Sequence, residues 1–131
     1  MQYELQVKTN SRDEFVDITH EVARVVQKFK IKSGVCHIFV PHTTAGVTIN
    51  ENADPAVVKD ILRKLNEIVP CNDGYEHTEG NSDSHIKASM MGFCQTVLVE
   101  ESSLVLGTWQ GIYFCEFDGP RNRKVIIRVG P

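Results

Sequence analysis

The stretch that decides the fold is Cys94–Val129, CQTVLVEESSLVLGTWQGIYFCEFDGPRNRKVIIRV. Runs of this kind, short and rich in β-branched and aromatic residues, are typical of strands, and short connections between them favour antiparallel hairpins. The stretch therefore predicts a largely antiparallel sheet or sandwich. Its four apolar runs are Cys94–Glu100, Leu104–Leu106, Gly111–Phe117 and Lys124–Val129.

Before this stretch, the pattern alternates between strands and helices. Val35–Val40 is apolar except for one histidine, which predicts a strand buried on both faces. Tyr3–Lys8 alternates between apolar and polar residues, as a half-buried strand does. Two further segments are predicted to be extended, Glu14–Ile18 and Thr43–Glu51.

Two longer helices and one short helix complete the pattern. The first helix carries an apolar stripe at helical spacing and is capped by Asp17 or Thr19. The second begins at Asp54–Pro55, because Asp caps a helix and Pro suits its first position, and it ends before Pro70. We therefore expect one α+β domain that covers residues 1–131.

Composition narrows the classes of function. The chain of 131 residues has a net charge of −3, which disfavours non-specific binding to nucleic acid. No apolar run approaches the length of a membrane span, so we expect no membrane partner. The first residues lack the pattern of a signal peptide, which favours a cytoplasmic location with reduced cysteines. Among the four cysteines, Cys36 lies near His37 and His42; a nucleophilic role is the alternative there to a buried structural thiol.

The segment His77–His85, HTEGNSDSH, is the strongest functional signal. It holds two imidazoles and two carboxylates, and a third imidazole, His42, lies in another short polar cluster. Three histidines with carboxylates nearby are typical of a catalytic metal site with an open position. The alternative is a polar capping loop whose histidines are solvated.

The same segment begins the short third helix. Asn81 or Ser82 caps this helix, which ends near Gly92 and has His85 in its first turn. Free N–H groups at a helix start favour a phosphate or another anion, so Asn81 and Ser82 are predicted to bind phosphate. The hydroxyls of Thr43 and Thr44, next to His42, could donate to the same phosphate.

Three charged residues are predicted to act on the substrate. Glu51 and Asp83 are candidates for the acid–base or supporting carboxylate, and Arg121 for a phosphate clamp. Trp109, the single tryptophan, is expected in the core or at a subunit interface rather than stacked on substrate. His20 and His37 are left out of the site.

The motifs together resemble those of the YjbQ family, along most of the chain. The resemblance rests on His42–Gly46, on Asn50–Asn52 with Asp54, and on the His77–His85 segment, and it continues through Gly107–Gln110 and Glu116–Arg121. It departs in one place, where Ser84 stands at a position that is often Ala in the family.

The resemblance implies a compact α+β fold, a homotrimer, and a metal site on His42, His77 and His85. It implies thiamine-phosphate synthase activity, in which a pyrimidine pyrophosphate joins a thiazole phosphate and pyrophosphate is released. Three imidazoles favour zinc, although magnesium is the usual ion of pyrophosphate chemistry. The alternatives are a zinc-dependent phosphoester hydrolase and a non-catalytic trimer that binds a metal or small molecule.

Overall fold

Two antiparallel sheets form the framework in a computed structural model that describes residues 1–131. The larger sheet has the order β1 (Gln2–Lys8), β8 (Asn122–Gly130), β3 (Ser33–Phe39), β5 (Cys94–Glu100) and β6 (Ser103–Leu104). The smaller sheet has the order β2 (Glu14–Asp17), β7 (Gln110–Glu116) and β4 (Ala45–Glu51). All pairings are antiparallel, which confirms the predicted sheet type.

The main core lies between the inner faces of the two sheets. Ile38 and Ile127 of the larger sheet and Phe114 of the smaller sheet are all fully buried in one apolar cluster. The alternation of side chains along each strand supplies this face, since every second residue points the same way. The predicted sandwich is therefore confirmed.

Three helices complete the fold: α1 (Thr19–Phe29), α2 (Pro55–Ile68) and α3 (Ser82–Met91). Helix α1 joins the main core through Val22 and Val26. Asp54 caps α2 as predicted, because its side chain accepts a hydrogen bond from the amide of Ala56 at 2.9 Å. Asp17 lies just before α1 and accepts from the amide of Thr19 at 3.0 Å.

Strand β7 is buried on both faces. Its inner residues enter the main core, whereas Tyr113, Cys115 and the following Phe117 pack with Leu65 of α2 and Ala88 of α3. Helices α2 and α3 thus contribute to a second, smaller apolar cluster on the outer side of the smaller sheet.

The prediction that Val35–Val40 is buried on both faces is wrong. Cys36 and Ile38 are buried, but His37 and Phe39 are exposed on the outer face of the larger sheet, which no helix covers. An apolar run predicts a strand but does not identify the faces that its neighbours cover.

Helix α3 packs very closely on β4, and Gly46 permits this approach. A Cβ atom at this position would lie 2.7 Å from the carbonyl oxygen of Gly92 and 3.2 Å from Cβ of Met91. A larger residue would push the end of α3 away from the sheet. The glycine therefore helps to seat the helix that carries His85.

Two smaller expectations are corrected, and the expectation that Cys36 is a buried structural thiol is confirmed. Strand β6 ends at Leu104 and is shorter than predicted. Trp109 is 64% exposed and does not lie in the core. Cys36 is fully buried, and burial, followed by the nearby Cys94, raises its thiol pKa to about 11, which removes the basis for a nucleophilic role.

No helix of the chain has the length and hydrophobicity that crossing a membrane requires.

Candidate functional site

Three loops meet in a polar cleft of about 480 Å³, large enough for a small metabolite. One loop follows β3, one precedes α3, and one connects β7 to β8. No hydrophobic side chain lines the cleft, which suits a highly polar ligand. The lining residues are Pro41, His42, Thr43, Thr44, His77, Glu79, Asn81, His85, Asp118, Arg121 and Arg123.

His42 takes the place of a strand neighbour for β8. The register that pairs Phe39 with Ile126 would set Pro41 opposite Lys124, but β3 has already ended there. The amide of Lys124 donates instead to Nε2 of His42, at 3.0 Å. An imidazole that accepts at Nε2 is neutral and carries its proton on Nδ1.

Glu116 and Arg123 form a buried ion pair beside the cleft. Nε of Arg123 donates to Oε1 of Glu116 at 2.9 Å, and Nη2 donates to Oε2. Glu116 also accepts from the hydroxyl of Thr9 at 2.8 Å and from the amide of Asp118 at 3.1 Å. Burial would raise the pKa of Glu116, but the hydrogen bonds from Arg123, Asp118 and Thr9 hold the pKa below its ordinary value. Glu116 therefore stays ionised and fixes Arg123.

Thr44 and Arg121 are held by the same network. Nη2 of Arg123 donates to the hydroxyl oxygen of Thr44 at 2.9 Å, and the amide of Arg121 donates to the Thr9 hydroxyl at 2.9 Å. The guanidinium of Arg121 bonds to the carbonyl and the carboxylate of Asp118. Arg121 thus lies at the exposed rim of the cleft, and Thr44 on its buried side.

His77 and His85 are neighbours in the same cleft. Their ring centroids are 5.5 Å apart, and the rings meet edge to face. Nε2 of His77 is 4.0 Å from a carboxylate oxygen of Glu79. The structure therefore brings all three predicted ligands, with His42, to one cleft.

Their arrangement does not fit a three-histidine metal site. Imidazole nitrogens suit zinc in kind, but no three His, Cys, Asp or Glu side chains are grouped closely enough to hold one ion. In addition, the Nε2 lone pair of His42 is already used by Lys124.

The predicted phosphate-binding residues are divided between two places. Thr43, Thr44 and Asn81 line the cleft, whereas Ser82 lies in an adjoining groove with His77 and His85. Asn81 is the N-cap residue of α3, but its side chain does not cap the helix, because Nδ2 donates to Asp118 at 2.9 Å. Its Oδ1 is buried without a partner, an arrangement that costs stability.

Asp83 does not reach the cleft, and its predicted catalytic role is not retained. The carboxylate is fully buried and forms a two-point ion pair with Arg12, at 3.1 Å for each contact. Lys87, also buried, is 3.4 Å away. Burial would raise the pKa of Asp83, but Arg12 and then Lys87 hold it below its ordinary value. Asp83 therefore anchors α3 through ion pairs.

Glu51 is also distant from the cleft, so its predicted acid–base role is not retained. It pairs with Gln110 at one end of the smaller sheet, whereas Ala45 pairs with Glu116 at the other end, beside the cleft. Six residues of strand separate the two ends by about 20 Å. The sequence places Glu51 near the histidine cluster, but an extended strand carries it away.

Arg123 is a buried cleft residue that the sequence interpretation missed. Arg123 lies on the same strand face as Val125, Ile127 and Val129, which all point inward, so its position already indicated a buried charge. Glu116 holds the equivalent inward position in β7. Buried charges of this kind require a partner, and parity along the two strands identifies both members of the pair.

The formal charges of the cleft are balanced. Arg121 and Arg123 face two carboxylates, those of Glu79 and Asp118. Burial lowers the pKa of His42, and the charge of Arg123 lowers it further, which favours the neutral ring. Recognition of an anion must therefore depend on directed hydrogen-bond donors more than on net charge.

Comparison with known proteins identifies relatives along the whole chain. Residues 3–130 match the family model described as "UPF0047 protein YjbQ-like". The chain is 55% identical to UPF0047 protein YugU of Bacillus subtilis over 126 residues, covering 95% of this chain and 96% of the relative. It is 50% identical to a UPF0047 protein of Methanocaldococcus jannaschii over 129 residues, covering 98% and 94%.

Solved structures show the same fold. An uncharacterised YjbQ/UPF0047 protein of Clostridium acetobutylicum superimposes with a TM-score of 0.96 at 52% identity, covering 98% of this chain and 99% of that one. A protein of unknown function from Sulfolobus solfataricus superimposes with a TM-score of 0.95 at 36% identity, covering 98% and 95%. The names of these relatives state no substrate, metal or activity.

Proposed function

The chain belongs to the YjbQ-like UPF0047 family, and we propose that its cleft binds and converts a phosphorylated small molecule. The observation that carries this proposal is the convergence of three loops on one polar cleft. Histidines, arginines and threonine hydroxyls from distant parts of the chain line it together, with no hydrophobic side chain among them. Such a lining favours a compact, anionic substrate over an apolar one.

The specific reaction that we propose is thiamine-phosphate synthesis. A pyrimidine pyrophosphate would react with a thiazole phosphate, so that a carbon–nitrogen bond forms and pyrophosphate leaves. The charge that develops on the leaving oxygens needs fixed hydrogen-bond donors nearby. Arg121 at the rim and Arg123 on the buried side both line the cleft and would donate to such oxygens.

We also propose that the cleft binds a divalent ion, with zinc favoured by the imidazoles. His77 and His85 are the pair that would hold it, since their ring centroids are 5.5 Å apart. The same pair supports a second candidate function, a zinc-dependent phosphoester hydrolase. We also propose the homotrimer, which sedimentation velocity tests directly.

Paired assays separate these functions. Strictly purified protein is supplied with the pyrimidine pyrophosphate and the thiazole phosphate, and in parallel with a chromogenic phosphate monoester, before and after chelation. Thiamine phosphate production that is lost in Arg121→Ala and retained in Arg24→Ala, a distant exposed control, supports the synthase. Monoester hydrolysis alone supports the hydrolase. Absence of turnover in both assays contradicts an enzymatic function.

A further inference from the structure

We propose that His42, Thr44 and Arg123 form an oxyanion subsite in which His42 donates from Nδ1 and is not a metal ligand. This inference rests on the proposed function, since it identifies where a phosphoryl group of the substrate binds. It goes beyond the resemblance, which would make His42 the first of three metal ligands.

The tautomer of His42 follows from the backbone. The Lys124 amide can only donate, so Nε2 of His42 must offer its lone pair to keep the 3.0 Å contact. The proton of the neutral ring is then on Nδ1, which has no acceptor in the chain. Binding a metal through Nδ1 would move that proton to Nε2, opposite the donating amide. Two donors would then face each other, so the local strand geometry opposes ligation.

Thr44 offers a second donor. Its hydroxyl oxygen already accepts a hydrogen bond from Nη2 of Arg123 at 2.9 Å, which leaves the hydroxyl proton free. Thr44 is 6% exposed and lines the cleft, so its hydroxyl is available to a ligand bound there. No acceptor within the chain is bonded to it.

Arg123 offers the third donor. Nε and Nη2 are bonded to Glu116 and Thr44, whereas Nη1 has no protein acceptor. The side chain is 5% exposed and lines the cleft, and the unbonded Nη1 is not completely buried. The N–H groups of Nη1 are therefore open to the cleft, while Glu116 fixes the plane of the guanidinium.

Three donors without acceptors define the chemistry of the ligand. A hydroxyl, an imidazole N–H and a guanidinium in one cleft require a group that accepts several hydrogen bonds at once. A tetrahedral phosphate or the terminal group of a pyrophosphate meets this requirement. The expected substrate class is a small molecule that places one phosphoryl group against these three donors.

Phosphate binding to metal-free protein tests the subsite. We would titrate chelator-treated protein with inorganic phosphate and with pyrophosphate, using calorimetry. Thr44→Val and His42→Ala should each weaken binding by about five- to tenfold, the effect of one hydrogen bond. The matched controls Thr48→Val in β4 and His37→Ala on the outer sheet face should bind like the parent protein. His42→Gln, which can accept from Lys124 and still donate, should retain most of the affinity.

Zinc binding provides an independent readout. His85→Ala should lower zinc affinity, whereas His42→Ala should leave it unchanged. The inference is overturned if metal-free protein binds neither anion, if Thr44→Val and His42→Ala bind both normally, or if His42→Ala loses zinc. Phosphate binding with the expected variant pattern but no turnover of either substrate class would sink the proposed function and leave the subsite intact. Turnover together with normal anion binding by Thr44→Val and His42→Ala would overturn the subsite and leave the proposed function intact.

Discussion

Glu116 of β7 and Arg123 of β8 form an ion pair that joins the two sheets beside the cleft, and both residues are almost completely buried. Removing one charge of such a pair leaves the other buried without compensation. Glu116→Gln should therefore lower the free energy of unfolding by about 3–5 kcal/mol. Urea denaturation measures this change. Glu67→Gln, in an exposed pair on α2, is the control and should cost less than about 1 kcal/mol.

Acid should weaken the same pair. The pKa of Glu116 is lowered in the folded chain from its ordinary value of 4.5, so its contribution to stability is complete above that value. The contribution is lost as the pH falls through the lower, folded pKa, because the unfolded chain takes up the proton first. Thermal unfolding at several pH values should show the parent protein approaching Glu116→Gln below pH 4.5. A difference that grows as the solution is acidified would contradict the assignment.

Asp83 should behave as a structural residue. Asp83→Asn removes the two-point pair of Arg12 and leaves the buried Lys87 with only the carboxylate of Asp13, at 3.5 Å, so we expect a loss of about 3 kcal/mol in the free energy of unfolding. At a temperature where the variant remains folded, anion binding in the cleft should persist. Loss of binding with unchanged stability would instead restore the catalytic interpretation of this carboxylate.

Gly46 should tolerate no side chain. Gly46→Ala would place its Cβ 2.7 Å from the Gly92 carbonyl oxygen, and backbone must move to relieve the contact. The expected cost is about 1–3 kcal/mol, with a shift of the NMR signals of His85 on α3. Gly130→Ala is the matched control, because no heavy atom lies within 4 Å of its added Cβ. Equal stability of the two variants would show that the close packing of α3 is unnecessary.

Trp109 should report on assembly. As the single tryptophan, at 64% exposure, it should fluoresce like an indole in water when the chain is alone. If it lies in a subunit interface, its emission should shift to shorter wavelength as concentration rises, because burial removes water from the ring. Sedimentation velocity over the same range gives the oligomeric state. Trimer formation without a spectral shift would place Trp109 outside the interface.

Much of the framework could be predicted from local patterns. The Asp54–Pro55 start of α2 and the antiparallel strands depend on neighbours in sequence, so capping and alternation reveal them. The open outer face beside His37 depends on which layers stack, and a strand pattern carries no information about that.

The cleft shows the same division. The sequence by itself identified His42, His77, His85, Thr43, Thr44 and Arg121 as residues whose polar chemistry exceeds the needs of a turn, and the structure brings them to one place. The tertiary structure alone decided that Glu51 lies at the far end of a strand and that Asp83 is bound to Arg12. It also decided the tautomer of His42. That tautomer depends on the Lys124 amide, a donor 82 residues away that is left free only because β3 ends before reaching it.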